Sequence, residues 1–465
     1  MRLAPAVLLL AALCALPQTP DLDWAKYDAE TLEHFQALLR LDTSNPPGNE
    51  VRAVEYLKHV LEREGISVQV FALDPARPNL VARIKGSGKK RPLLILGHTD
   101  VVTVDPKKWK FPPFSGTRDG GYVYGRGATD DKDNVVACLM NMLLLKRLNM
   151  PLDRDVIFLA ESGEEGSTSV GIDFMVKQHF SAIEAEYALA EGGGVMREGG
   201  KSTLARVGTA EKIPYSVRLI ARGPAGHGSV PLKTNAVVRL SQAVAKVAAW
   251  QTPMRLNDTT RTYFERLAGL STPERAARYN GIFDSTKSSA VQEYLAEHEP
   301  SHYSMLRTSV SPNVIQGGYR YNVIPSEAEA RLDVRAAPGE NMPALLAEMK
   351  KVINDPSVEI VSGAGTRPPG DPSPIGNEVF KTIEANMKKH YGVVTVPFMG
   401  TGASDKAQLR AKGIHSYGIG PLTDVEDGPL GFGAHSDQER ILEAELHRFV
   451  RFHWDTVVSI AGAGK

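Results

Sequence analysis

Acidic residues and histidines cluster at five places in this 465-residue sequence. Carboxylate and imidazole groups can bind divalent metal ions, and a carboxylate beside such ions can take a proton from water. Each group alone has an ordinary explanation, such as a local hydrogen bond or a solvated helix start. Their joint occurrence indicates a metal-dependent catalytic site. The five places are His98-Thr99-Asp100, Asp130-Asp131, Glu161 with Glu164-Glu165, Glu191, and His435 in a glycine-rich loop.

Short apolar runs with strand character directly precede three of these groups. The runs are Leu93–Leu96, Val156–Ala160 and Tyr187–Ala190. Ligands gather beyond the carboxyl ends of parallel strands in open α/β sheets, so we expect these groups to meet at one sheet edge. Their negative charges would repel one another there unless a cation neutralised them. Without paired cysteines the ligand set suits Zn, with Co and Mn as alternatives, and the number of candidates fits two metal ions.

The alternation of strands and helices changes near Gly208 and resumes after Pro338. We therefore predict an α/β fold, in which a catalytic domain with a mostly parallel sheet and helices on both faces is interrupted by an inserted α+β domain. A signal peptide is predicted at residues 1–19. The catalytic domain is predicted at residues 20–208 and 336–465, and the inserted domain at residues 209–335.

Composition excludes several classes of function. Lys+Arg and Asp+Glu number 54 each, so the net charge is zero, which gives no electrostatic reason to expect nucleic acid or an anionic membrane surface. Met1-Arg2 and the apolar run Leu3–Leu16 are typical of a cleaved signal peptide, which predicts a secreted or periplasmic protein. The run is too short to insert stably in a bilayer. A lipid anchor on Cys14 is the alternative, which the bulky Leu13 before it disfavours.

Three segments, in the same order, resemble the motifs of the M20 metallopeptidase family. They are Gly97–Val102, Tyr124–Lys132 and Glu161–Ser167. The resemblance implies a two-metal enzyme in which Asp130 bridges the ions. His98 and Glu191 then complete one metal site, and Glu165 and His435 complete the other.

The resemblance also implies that Glu164 is the general base. Spacing alone does not decide which member of Glu164-Glu165 binds metal, because neighbours in a loop can point either way. Asp100 is expected to accept the second ring N–H of His98 and so fix its tautomer. Asp131, beside the bridging position, is expected to be structural.

The inserted domain resembles the family's lid, which is also its dimerisation domain. Gly223–Ser229 matches the lid motif, so His227 is expected to stabilise the oxyanion, in its own subunit or across a homodimer. Asn313 and Arg335 match positions that bind the substrate carboxylate, a group that arginine can contact through two hydrogen bonds. Ser404 lies in a loop that resembles a substrate-side loop.

These features predict a secreted hydrolase that cleaves an amide or peptide bond next to a free carboxylate. The segment Arg261–Leu306 resembles the carboxypeptidase S and N-acyl amino acid hydrolase branch, so the expected substrates are small peptides or N-acyl amino acids. An M28-type aminopeptidase is the first alternative, but it lacks an inserted lid. A metal-stabilised binding protein without catalysis is the second, and loss of Glu164 would be its signature. A serine hydrolase is disfavoured because no Gly-x-Ser-x-Gly elbow follows a strand.

Overall fold

A computed structural model describes residues 22–463. The predicted signal peptide at residues 1–19 lies outside this range, so export stays a prediction from the sequence. Among the helices of residues 22–463, none is both long enough and apolar enough to cross a membrane.

The larger of the two main sheets has ten strands. Nine of them form a row, and the tenth, Thr395–Gly400, pairs beside Lys201–Glu211. The four central strands are parallel, and most flanking pairs are antiparallel. In spatial order the row is Val68–Phe71, Asn79–Ile84, Val156–Glu161, Leu93–His98, Tyr187–Ala190, His415–Gly418, Lys201–Glu211, Gly194–Glu198 and Leu422–Asp424.

Helices cover both faces of this sheet. Side chains alternate along a strand, so Leu93 and Ile95 pack into one hydrophobic cluster while Leu94 and Leu96 pack into the other. Helix Lys132–Arg147 lies under the first face and is buried nearly all round. The observed layers confirm the predicted α/β class. The other helices on the first face are Trp24–Leu39, Val51–Arg63, Glu378–Tyr391 and Glu443–Ala461, and those on the second are Ile172–Gln178, Phe180–Ile183 and Lys406–Ala411.

The inserted domain is built on a separate four-stranded antiparallel sheet. Its order is Ser309–Gly317, Glu327–Ala336, Ile213–Arg222 and Val358–Ser362. Helices Ala236–Ala249 and Met342–Ile353 pack on it. The lid therefore continues past the predicted boundary at residue 335, because Val358–Ser362 pairs with Ile213–Arg222. A helix followed by a strand gives the same sequence pattern in the catalytic domain and in the lid. Only the sheet with which the strand pairs shows to which domain it belongs.

Four helices inside the predicted lid range pack elsewhere. Their hydrophobic cluster includes Val396 and Met399 of the large sheet, so they extend the catalytic domain and not the lid sheet. Tyr263 of this group lies beside Phe398, with the ring centroids 6.1 Å apart. The helices are Asp258–Gly269, Pro273–Gly281, Ser288–His298 and Pro300–Met305.

Short strand pairs hold the connecting loops in place. They are Ser44–Asn45 with Val101–Val102, Gly226–His227 with Val323–Ile324, and Tyr122–Tyr124 between Thr117–Asp119 and Arg440–Leu442. A single 3₁₀ turn covers Pro106–Lys108 within the described range.

Candidate metal centre

The parallel strands bring the predicted ligands to one sheet edge. Leu93–His98 and Val156–Glu161 pair in register, with His98 opposite Glu161. Tyr187–Ala190 lies on the other side of Leu93–His98 and ends just before Glu191. The carboxyl ends of these strands therefore meet, as the sequence predicts.

Two groups of side chains at this edge have the composition of metal sites. His98, Asp130 and Glu191 each offer a ligand atom, and these atoms lie within 4.8 Å of one another. Asp130, Glu165 and His435 form a second group by the same measure. Asp130 belongs to both groups, which is the arrangement of a bridging carboxylate.

The hydrogen bonds of His98 fit a cation. Its Nδ1 lies 3.0 Å from the carbonyl oxygen of Asp100, which can only accept, so Nδ1 carries the proton. In the neutral ring Nε2 then has a lone pair directed at Oδ1 of Asp130, 3.0 Å away. Two acceptors that face each other suit a shared positive ion. Burial opposes the charged ring, yet hydrogen bonds to Asp100 and Asp130 outweigh it and raise the pKa of His98.

The Asp100 carboxylate holds the loop that carries Glu164 and Glu165. Its two oxygens accept the backbone N–H groups of Gly163, Glu164 and Glu165 at 3.0–3.1 Å, and Nδ2 of Asn45 at 2.8 Å. The ring N–H of His98 is closer to the Asp100 carbonyl oxygen, at 3.0 Å, than to the carboxylate, at 3.5 Å. Asp100 therefore accepts the ring N–H of His98, as the sequence predicts, through its backbone carbonyl, and its carboxylate positions the glutamate loop.

Asp131 is buried. Among the residues of the two ligand groups, its carboxylate makes a hydrogen bond only to the backbone of His98. That N–H donates to Oδ2 at 3.2 Å, and Nδ2 of Asn134 donates to Oδ1 at 2.5 Å. These contacts agree with the structural role expected for Asp131.

A buried salt bridge joins the loop of Asp130 to the loop of His435. Arg126 donates to Oε2 of Glu439 at 2.7 Å and to the carbonyl of Ser436 at 2.9 Å. Glu439 also accepts the backbone N–H groups of Gly127 and Thr129. Both charged side chains are almost completely buried, at 2% and 0% exposure. His435 itself has a left-handed φ of 61°, a conformation that persists only where surrounding contacts enforce it.

Glu164 is held by an arginine that sequence reasoning missed. Nη2 of Arg367 lies 3.0 Å from Oε1 of Glu164 and 3.5 Å from Oδ1 of Asp405. Burial, followed by the charge of Glu191, raises the pKa of Glu164 to about 7. Arg367 is 203 positions away in sequence and has no motif around it, so no local signal could identify it.

The close approach of carboxylates and histidines at the sheet edge shifts their pKa values. Burial and the charge of Asp130 raise the pKa of Glu191 to about 7, against the opposing effect of Lys406. Hydrogen bonds to Asp130 and Glu165 raise the pKa of His435 to about 10. Its Nε2 lies 2.8 Å from Glu165 and 3.1 Å from Asp130. The crowded groups therefore retain protons that divalent cations would replace.

Among the remaining predicted residues, Ser404 lies near the ligand groups, whereas His227 is not joined to them in the described range. Ser404 lines a cavity beside Glu191, but its hydroxyl is engaged by Glu211 and Lys406, both at 2.6 Å. His227 is exposed, and its side chain contacts Ser229 of its own loop at 2.7 Å. Within residues 22–463, no hydrogen bond joins His227 to the ligand groups.

Arg335 and Asn313 line one groove on the lid sheet, of about 300 Å³. Arg335 donates through Nε and Nη2 to Asp333, at 2.8 and 3.1 Å. Its Nη1 has no partner among the described residues. Arg335 and Asn313 therefore share a groove, and this groove is not lined by any residue of the ligand groups.

Residues 94–458 match the family model described as "Peptidase family M20/M25/M40". Two curated relatives are similar: a "Probable carboxypeptidase S-like 2" of Dictyostelium discoideum, 29% identical over 331 residues, and an N-fatty-acyl-amino acid synthase/hydrolase of Homo sapiens, 28% identical over 342 residues. Each match covers 69% of this chain. The chain spans only 63% and 65% of the length of these relatives.

Solved structures share the fold. A M20 family metallo-carboxypeptidase from Sulfolobus solfataricus superposes with a TM-score of 0.66 at 21% identity. The superposition covers 93% of this chain and 99% of that one. Both the inserted lid and the catalytic domain therefore belong to a known architecture.

The buried salt bridge between the site loops should be important for stability. Glu439→Ala leaves Arg126 buried without a partner, so we expect the free energy of unfolding to fall by about 3–5 kcal/mol. Glu443→Ala is the matched control, since it breaks a partly exposed pair with Arg118 and should cost only about 1 kcal/mol. Denaturant unfolding measures both values. Equal losses would show that the Arg126–Glu439 pair has no special role.

Proposed function

The chain belongs to peptidase family M20/M25/M40, and from this premise we propose that it is a two-metal hydrolase that cleaves an amide bond next to a free carboxylate. The observation that carries the proposal is the pair of ligand groups that share Asp130. A carboxylate shared by two ions, with terminal ligands on either side, is the arrangement that a two-metal site needs.

The donor set supports zinc as the metal, with cobalt or manganese as alternatives. It consists of imidazole and carboxylate ligands without thiolates. His98 and Glu191 would complete the first ion, Glu165 and His435 the second, with Asp130 between them. Two such cations, when bound, polarise the substrate carbonyl and lower the pKa of water toward neutrality.

Glu164 is the proposed general base. Its backbone is fixed by Asp100, and Arg367 binds its Oε1, which leaves Oε2 without a hydrogen bond in the described range. Oε2 can accept the proton of the attacking water and then donate it to the leaving nitrogen. The products are a carboxylic acid and an amine, and Glu164 returns to its ionised form.

The substrate class is proposed from two independent features. The relatives carry the names of a carboxypeptidase and of an N-fatty-acyl-amino acid hydrolase, both of which indicate amides beside a carboxylate. Arg335 and Asn313 share a lid groove, and Nη1 of Arg335 is available for an anion. We propose that this groove binds the carboxylate of the released amino acid, and that His227 reaches the oxyanion from a second copy of the chain.

Replacement of the base should separate catalysis from metal binding. Glu164→Gln preserves the oxygen that Arg367 contacts but cannot take a proton, so kcat should fall at least about a hundredfold. Metal content, measured by elemental analysis, should stay at the wild-type level. Glu348→Gln, at an exposed pair with Lys351, is the control and should leave both unchanged. Turnover by Glu164→Gln above about a hundredth of wild type would assign the base to another residue.

Removal of metal should lower stability and stop hydrolysis together. The crowded carboxylates and imidazoles repel without cations, and ligand binding at a hundred times Kd stabilises by about 2.7 kcal/mol per site. A chelator should therefore lower the Tm, and Zn, Co or Mn should restore both Tm and activity. Asp130→Asn should lose this response, because neither ion keeps its shared ligand. Full activity in chelated protein would contradict the two-metal proposal.

Recognition of the carboxylate can be tested with an amidated substrate. Loss of a charge-assisted contact costs about 1.5–3 kcal/mol, so Arg335→Ala should lower kcat/KM on a free acid about ten- to hundredfold. The same variant should cleave the amidated substrate no worse than wild type does. If wild type cleaves both substrates equally well, the enzyme does not recognise this carboxylate, and an aminopeptidase activity becomes the better proposal.

A further inference from the structure

A cavity of about 270 Å³ opens beside Glu191, on a side of the centre that the proposed mechanism leaves unused. Two glycine-rich loops form much of its wall, at Gly192-Gly193 and at Gly400–Ser404. Phe398 adds an aromatic surface, and Glu211, Lys406 and Arg206 are the other charged side chains. Because Glu191 is a proposed metal ligand, a group bound in this cavity would lie next to the metal centre.

The carboxylate of Glu211 is already neutralised. Lys406 lies 2.9 Å from its Oε1, and Arg410 lies 2.6 Å from its Oε2. The hydroxyl of Ser404 donates to Oε1 as well. These three contacts occupy both oxygens, so Glu211 is not a partner for any further cation of the cavity.

Arg206 is the cationic side chain of this cavity that has no acidic partner among the described residues. It makes no side-chain hydrogen bond or ion pair with any residue from 22 to 463, although it is half-buried. Its guanidinium lies over the ring of Phe398, 4.8 Å from the centroid. Burial lowers the pKa of Arg206, and no carboxylate compensates for that cost.

The strand pattern explains why Arg206 faces the cavity. Its neighbours Ala205 and Val207 are fully buried in the main core on one face of the sheet. Side chains alternate along a strand, so Arg206 points to the opposite face with Leu204, toward the cluster of Phe398 and Tyr263. A methionine of similar length would fill this position without the desolvation cost of a charge, so packing alone does not account for an arginine here.

We propose that Arg206 binds a carboxylate on the acyl or amino-terminal part of the substrate, which would make acidic substrates the preferred class. The inference rests on the proposed function, in which Arg335 on the lid binds the other carboxylate, next to the scissile amide. A guanidinium offers two parallel N–H donors to a carboxylate, and the ring of Phe398 restricts its orientation. Suitable substrates are amino acids acylated by a short dicarboxylic acid, and peptides that begin with Asp or Glu.

Kinetics on matched substrates test the proposal. Arg206→Met should lower kcat/KM on N-glutaryl-L-alanine about ten- to hundredfold and change it less than about threefold on N-pentanoyl-L-alanine. Arg206→Lys should recover part of the loss on the glutaryl substrate, because it restores the charge without the two parallel donors. Arg222→Met is the control for charge removal, since Arg222 lies at exposed ion pairs on the lid sheet. It should match wild type on both substrates.

Substrates in which the alanine carboxylate is converted to an amide distinguish the carboxylate of the acyl group from that of alanine. The effect of Arg206→Met should persist on N-glutaryl-L-alanine amide, which carries a carboxylate only on the acyl group. An equal loss on the glutaryl and pentanoyl substrates would overturn the proposal, as would a loss that follows the alanine carboxylate. The Tm of Arg206→Met should equal or exceed that of wild type, because the substitution removes an unpaired buried charge.

A binding measurement keeps this inference distinct from the proposed function. Metal-loaded wild type should bind glutarate about ten- to hundredfold more tightly than Arg206→Met does, while pentanoate should not discriminate between them. Calorimetry measures both without turnover. If no amide is cleaved but glutarate discriminates, the hydrolase proposal fails and the carboxylate site stands. If amides are cleaved and glutarate does not discriminate, the role of Arg206 is refuted alone.

Discussion

Repulsion among acidic side chains at one sheet edge is the constraint on which the rest of this structure depends. Asp130, Glu165 and Glu191 meet there with two histidines, in two groups that share Asp130 and whose ligand atoms each lie within 4.8 Å. Burial, together with the charge of neighbouring carboxylates, raises the pKa of Glu164 and Glu191 to about 7, so both groups resist ionisation. Such a site is stable only when cations are bound or protons are retained. The arrangement that crowds the carboxylates therefore also favours the binding of metal ions.

Two buried carboxylates outside the ligand groups keep the site in shape. Asp100 accepts three consecutive backbone N–H groups and so sets the direction in which Glu164 and Glu165 point. Glu439 joins the loops of Asp130 and His435 through Arg126. None of these three loops has regular secondary structure that could position its side chains. The anchoring carboxylates take that role, and their burial makes the positions rigid.

The lid sheet and the large sheet each carry a region that we propose binds part of the substrate. The lid sheet carries Arg335 and Asn313 in an open groove. The helices from Asp258 to Met305 instead pack against the large sheet, beside Phe398 and the cavity of Arg206. In the two proposals, an arginine on each domain binds a different carboxylate of one small substrate.

The sequence by itself determined the fold class and the residues that gather at the sheet edge. His98 and Glu191 adjoin the ends of apolar strands, and parallel neighbours bring such ends together, so local periodicity placed these two. The roles of Asp130, Glu165 and His435 came from the resemblance to the family's motifs. Tertiary structure alone decided the partner of Glu164, because Arg367 is 203 positions away, and the end of the lid, because Val358–Ser362 is assigned only by its pairing. It also decided that Arg206 has no acidic partner among residues 22–463. Sequence periodicity predicts on which face of a sheet a side chain lies. Which charged residues lie near it on that face depends on segments that are distant in the chain.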